Sequence, residues 1–159
     1  MHFYKFQYSI RNNEKYGNIV EKGVAIIQHQ TEIVTRYCES DALGHINNVS
    51  YFIYLEQARV EFILDNEIVP NLENWSFVLV STHCDYKQQI YINERIVINT
   101  YLKEIGRSSF TLVHEFVHKE RGDLLAYGEA VLVHFDFEKQ KSSPIPDAIR
   151  TKMEKLLRR

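Results

Sequence analysis

Ten consecutive residues, Glu39-Ser40-Asp41-Ala42-Leu43-Gly44-His45-Ile46-Asn47-Asn48, concentrate nearly every group that acid–base chemistry could use. Asp41 stands seven residues before Asn48, with Gly44 between them. A turn pivoting at Gly44, the residue most tolerant of unusual backbone angles, brings the Asp41 carboxylate back toward whatever begins at Asn48. If that is a helix, its unpaired N–H groups and positive dipole end attract a developing oxyanion. A base facing oxyanion donors is an acyl-transfer geometry. The same residues also read structurally, with Asp41 closing a turn and Asn47 or Asn48 capping a helix. His45 is either a second catalytic group or a support for the loop, and a His just ahead of a capped helix favours support.

The elements that would position these groups follow from periodicity. Over residues 49–64, Tyr51, Leu55, Ala58 and Phe62 form a helical stripe, and Phe52 and Ile53 widen it so far that the first two turns are expected to be buried. Asn66 and Pro70 end it. Elsewhere the period is two. Ile96, Ile98, Thr100 and Leu102 share one face, and Ala126, Gly128, Ala130 and Leu132 oppose Tyr127, Val131, Val133 and Phe135. Residues 31–37 and 77–86 have the same character, which suggests about five strands. A second helix over residues 147–157, introduced by Pro144 and Pro146 with Asp147 as its cap, is expected to pack on an edge. Strand, buried helix, then a run of strands is an α+β pattern, an antiparallel sheet curled around one helix.

Composition bounds the class. The 159 residues are 45% hydrophobic and 25% charged, which fits one folded domain and excludes collagen-like and disordered chains. A net charge of −2 gives no cationic field for a phosphate backbone, so nucleic acid is not expected as a partner. No apolar run reaches the ~20 residues of a membrane span, and the N-terminal residues lack the apolar core of a signal peptide. The expectation is a soluble, cytoplasmic protein without a membrane partner. Cys38 and Cys84 stand far apart and outside any paired-cysteine motif, which leaves two reduced thiols. Residues 1–28 are undecided on pattern.

His114-Glu115-Phe116-Val117-His118 matches the HExxH zinc-hydrolase pattern, which requires a helix so that both imidazoles reach one metal. On a strand they would stand ~13 Å apart, too far for Zn–N bonds of ~2.0–2.1 Å. Phe110, Leu112, His114, Phe116 and His118 alternate against Thr111, Val113, Glu115 and Val117, which favours a strand and no metal. Glu56 and Arg59, three apart on the helix, are expected to pair.

Taken together, several stretches resemble the hot-dog fold acyl-CoA thioesterases of the 4-hydroxybenzoyl-CoA thioesterase type. They are Thr35-Arg36-Tyr37, the run from Ser40 to Tyr51, and Tyr54-Leu55-Glu56-Gln57-Ala58-Arg59 on the helix. Further on come Asn93-Glu94, Gly106-Arg107-Ser108-Ser109-Phe110 and Gly128-Glu129-Ala130, in the same order. The resemblance covers roughly residues 30–150, and Asp-x-x-Gly-His-x-Asn-Asn is its most specific part. It implies an antiparallel sheet wrapped around one long central helix. Residues 29–159 then form the hot-dog domain with its C-terminal helix, and residues 1–28 an extension of uncertain structure. It implies a homodimer or homotetramer joined through the sheet, with an acyl-CoA thioester bound at the interface between copies. Asp41 matches the catalytic carboxylate, activating water or attacking the carbonyl, and the backbone N–H near Asn48 matches the oxyanion donor. Coenzyme A enters as substrate and leaving group, so no separate cofactor is expected. Leu43 stands where plant acyl-carrier-protein thioesterases carry Asn, which argues against that carrier.

Under this resemblance Arg107, Ser108 and Ser109 become candidate contacts for pantetheine or phosphate, against the alternative of a solvated turn. Cys38 is not assigned as a nucleophile, because nothing in the sequence holds a base beside it. The leading expectation is hydrolysis of acyl-CoA to free acid and coenzyme A. The alternatives are a non-catalytic acyl-CoA binding module of the same fold and, further off, a zinc hydrolase using His114, Glu115 and His118.

Overall fold

Alternation at the centre of the chain sets the sheet. In the computed structural model, which describes residues 16–21 and 24–157, β5 (Ser109–His118) buries Phe110, Leu112, His114, Phe116 and His118 on one face, as a period of two requires. It lies between β4 (Arg95–Ile105) and β6 (Leu124–Asp136). β2 (Val24–Val34) and β1 (Tyr16–Glu21) extend the sheet beyond β4, and β3 (Phe77–Tyr86) extends it beyond β6. The order is β1-β2-β4-β5-β6-β3 with every pairing antiparallel, and the two-residue β7 (Lys141–Ser142) adds to β6. Alternation marked about five of these seven strands. β2 runs through residue 29 without a break, and residues 1–15, 22 and 23 of the N-terminal segment lie outside the described residues.

The sheet curls around α1 (Asn48–Asp65). Asn47 caps it, accepting the Ser50 N–H at 2.9 Å, so of the two candidate caps the first is used. At the other end the Asn66 amide donates to the Phe62 carbonyl at 2.8 Å, and Glu67 adopts the left-handed φ of 53° that stops the helix. Tyr51, Leu55, Ala58 and Phe62 all face the sheet and are buried. Full burial of side chains the size of Leu55 and Phe62 contributes roughly 1.5–3 kcal/mol each. Contact is closest at Gly128, where a Cβ would stand 2.8 Å from Leu55 Cδ2, so only glycine lets the helix ride this near β6.

The first two turns are not buried all round. Val49 is 67% exposed, Ile53 50% and Phe52 37%. At ~3.6 residues per turn these positions fall on the side away from Tyr51 and Leu55, and the sheet of one chain covers one side only. The second helix, α2 (Asp147–Glu154), also departs from expectation. Pro146, not Asp147, occupies its cap position, and it closes the end of the core beneath the β4–β5 turn instead of lying on an edge strand. Met153 is fully buried there, the Arg150 guanidinium donates to the Gly106 carbonyl at 2.6 Å, and Ile145 N–H donates to the Arg107 carbonyl at 3.0 Å.

Candidate active site

β2 ends where its last residues meet the chain entering β4. The Thr35 hydroxyl donates to the Tyr91 carbonyl at 2.6 Å and accepts the Glu94 N–H at 3.0 Å. A single 3-10 turn, Tyr37–Glu39, then delivers the buried Glu39 carboxylate beneath the helix. Glu39 Oε2 accepts the Arg36 N–H at 2.7 Å and the Tyr54 hydroxyl at 2.6 Å, and Oε1 accepts Arg36 Nε at 2.9 Å. Burial alone would raise the Glu39 pKa, but the hydrogen bonds from Arg36 and Tyr54 outweigh it and hold the carboxyl below its ordinary range. Burial and the same contact push the Tyr54 phenol well above its ordinary value.

From this anchor the chain makes a closed turn. Ser40 and Ile46 pair as an antiparallel bridge, Asp41 N–H donates to the His45 carbonyl at 2.8 Å, and Asn47 N–H donates to the Glu39 carbonyl at 2.8 Å. Gly44 sits at φ 80°, the left-handed conformation this pivot needs. Asp41 Oδ1 accepts the Leu43 N–H at 2.8 Å. Its second oxygen makes no hydrogen bond among the described residues, and the side chain is exposed. One oxygen thus fixes the carboxylate while the other is open to a proton or a carbonyl carbon.

His45 is half-buried, packs edge-to-face on Tyr91 with ring centroids 5.2 Å apart, and bridges to Tyr91 through its backbone. Its ring makes no hydrogen bond among the described residues, so it is held by aromatic contact and not by the bond expected of a supporting His. Asn48 is the exposed first residue of α1. Asn47 satisfies the Ser50 N–H, and the N–H groups of Asn48 and Val49 have no intrahelical acceptor, as at any helix start. The chain therefore gathers Asp41, His45 and the Asn48 N–H within one short loop.

Arg107, Ser108 and Ser109 are not brought to that loop. They form the turn from β4 to β5, with Gly106 N–H donating to the Ser109 carbonyl at 2.7 Å. The Asp41 loop is bridged to Tyr91, ahead of the opposite end of β4, and eleven strand residues span about 36 Å. The HExxH residues lie on β5, as alternation indicated. His114 is fully buried, with Nδ1 2.9 Å from the Thr100 hydroxyl, and burial followed by the Arg59 charge pushes its pKa down to about 3. His118 lies at the far end of the same strand beside Glu94 and Glu120, so the two imidazoles do not converge. Burial pushes the Cys84 thiol up to about 11, which makes it a poor nucleophile.

Arg59 and Glu56 pair as their spacing indicated, at 3.9 Å, a distance too long for a hydrogen bond. Glu39 and Tyr54, which clamp the loop to the helix, carry no signal in spacing, because fifteen residues separate them and neither position follows a short motif.

The family model of the thioesterase-like superfamily matches residues 35–153. The long-chain acyl-CoA thioesterase FadM of Escherichia coli (strain K12) is 24% identical over 131 residues, covering 81% of this chain and 99% of the relative. A predicted thioesterase from Bacillus stearothermophilus has a solved structure that matches with a TM-score of 0.76 at 30% identity, over 83% of this chain and 98% of that one. A thioesterase from Thermus thermophilus, complexed with coenzyme A and Zn, matches with a TM-score of 0.71 at 28% identity, over 80% of this chain and 92% of that one. With its curled antiparallel sheet around α1, the chain has the hot-dog fold and belongs to the thioesterase-like superfamily.

Proposed function

We propose that the protein is an acyl-CoA thioesterase of the 4-hydroxybenzoyl-CoA thioesterase type, in which Asp41 is the general base or nucleophile. The observation that carries this reading is the half-anchored carboxylate: Oδ1 is tied to the Leu43 N–H while the other oxygen is open, in the loop that leads into a helix N-terminus. As base, Asp41 takes a proton from water while the hydroxide adds to the thioester carbonyl. The N–H groups at Asn48 and Val49 stabilise the tetrahedral oxyanion. Collapse breaks the C–S bond, and the thiolate leaves with the proton from Asp41, giving free acid and coenzyme A. As nucleophile, Asp41 adds to the thioester carbonyl and the C–S bond breaks to release coenzyme A thiolate, leaving an acyl anhydride that water hydrolyses to free acid and the regenerated carboxylate, its proton going to the thiolate.

Coenzyme A is part of the substrate, and the reading needs no further cofactor. No helix among the described residues is long and apolar enough to cross a membrane, and we take the cytoplasm as the place of reaction. The outermost strand β3 has no second neighbour among the described residues, and the exposed side of the first two turns of α1 is apolar, both of which favour a symmetric dimer or tetramer. Since Arg107, Ser108 and Ser109 sit a strand length from Asp41, they can bind the coenzyme A moiety at its site only from a second copy.

The test is a panel of acyl-CoAs assayed for release of free thiol. Turnover that depends on Asp41 supports the reading. Tight acyl-CoA binding without turnover on any chain would replace it by the non-catalytic binding module, for which the Leu43 contact of Asp41 is merely a turn bond.

A further inference from the structure

The side of α1 that faces away from the sheet is a path as well as a bare surface. Val49, Phe52, Ile53, Glu56 and Val60 recur at helical spacing along it, starting beside the N–H groups of Asn48. The path runs into a cavity of about 440 Å³ whose walls include Glu56, Arg59, Val60, Trp75, Phe77 and Leu79. From Asn48 to Arg59 the helix rises about 17 Å. At roughly 1.3 Å of advance per ~1.5 Å carbon–carbon bond, about thirteen methylenes cover that distance.

Arg59 is the anomaly in these walls. Its side chain is 7% exposed, yet its nearest carboxylate, the exposed Glu56, stands at 3.9 Å and makes no hydrogen bond with it. Buried charges are normally paired and hydrogen-bonded, and a guanidinium offers a planar fork that fits a carboxylate. His114, whose Nε2 has no hydrogen-bond partner among the described residues, can supply no negative charge to balance it. Glu56 also lines the cavity, but it is 69% exposed and leaves the guanidinium fork without a hydrogen bond, so a planar carboxylate at the end of an alkyl chain fits the buried donors better than Glu56 does.

We propose that the cavity at Arg59 receives the distal end of a long acyl chain that terminates in a carboxylate, so that the substrate class is ω-carboxyacyl-CoA. This rests on the thioesterase reading for the identity of the ligand. The thioester carbonyl lies at the start of α1, the chain follows Phe52 and Ile53, and the terminal carboxylate pairs with the guanidinium.

The experiment compares non-hydrolysable acyl-CoA thioether analogues of ten to sixteen carbons ending in carboxylate or in methyl. Calorimetric Kd values are taken for the wild type, Arg59→Lys and Arg59→Met, with free coenzyme A as control. At the best length the wild type should prefer the carboxylate by at least about tenfold. Arg59→Lys should keep part of that preference, and Arg59→Met should lose it while binding free coenzyme A as before. A wild type that prefers methyl at every length, or binds neither series, overturns the proposal whether or not the variants fold. So does an equal loss of free coenzyme A binding in Arg59→Met. Loss of the oligomer by light scattering in Arg59→Met, with end-group preference unchanged, would assign the cavity to a second copy instead. Thiol release is measured alongside with the matching thioesters. No turnover with the preference intact removes the thioesterase reading alone, and turnover without end-group preference removes this proposal alone.

Discussion

The Tyr54 hydroxyl donates to Glu39 Oε2 over 2.6 Å, joining the second turn of α1 to the residue two positions ahead of Asp41. Glu39 also receives the Asn47 N–H on its carbonyl. Both ends of the Asp41 loop therefore hang on one residue, and the geometry of the carboxylate relative to the helix depends on it.

That dependence has a pH signature. The Glu39 carboxyl titrates below its ordinary value in the folded chain, while in the unfolded chain it titrates near ~4.3. Its contribution to stability is therefore complete above the unfolded value and is lost as the pH falls through the lower, folded value. Thermal melts taken between about pH 3 and 6 should show this loss in the wild type and a flatter dependence in Glu39→Gln. Tyr54→Phe should cost about 1–3 kcal/mol, since it strips a donor from a buried carboxylate.

Asp41→Asn preserves shape but removes the base. Its kcat should fall at least ~10²-fold while acyl-CoA binding persists. His45→Ala removes an edge-to-face contact with Tyr91, worth roughly 0.5–1.5 kcal/mol, so it should lower Tm and reduce kcat less. Wild-type turnover in Asp41→Asn together with an inactive His45→Ala would reverse the two roles.

The capping residue and the oxyanion donor are neighbours with separable effects. Asn47→Ala removes the acceptor of the Ser50 N–H and should cost ~1 kcal/mol in stability. Asn48→Ala leaves its main-chain N–H in place and should keep both Tm and kcat. A collapse of kcat in Asn48→Ala with normal stability would instead place the side chain in the reaction.

If Arg107 serves the Asp41 of another copy, two inactive proteins can repair each other. Asp41→Asn and Arg107→Ala, co-expressed or refolded together, should recover about a quarter of wild-type activity, because half of randomly mixed dimers carry one intact site of two. No recovery, with mixed dimers confirmed by mass, would place Arg107 outside the site.

Much of the fold was legible because strands and helices bury one face at a fixed period. Tyr51, Leu55, Ala58 and Phe62 marked the inner side of α1, and the alternation of Phe110 to His118 was enough to separate a strand from a metal-binding helix. The outer side of the helix was not legible. Val49, Phe52 and Ile53 have the composition of a core, and hydrophobicity records that a residue avoids water without recording what will cover it. At the site, Asp41 and Gly44 declared their turn locally. Arg107 could not declare its remoteness, since β4 sets that distance, and Arg59 suggested an ion pair by spacing alone, whereas its burial is decided by the tertiary walls around it.

The partner of β3 is β6, so Tyr86 must wait for Ala126 and Phe77 for His134. On a chain made from its N-terminus, β3 leaves the ribosome at least forty positions before the strand that pairs with it arrives. Closing so long a loop slows folding, and the unpaired edge of β3 is open to wrong partners in the interval. A nascent chain stopped short of β6 therefore loses a neighbour for both β3 and β5 at once, and the half-synthesised protein is the form that a chaperone must shelter.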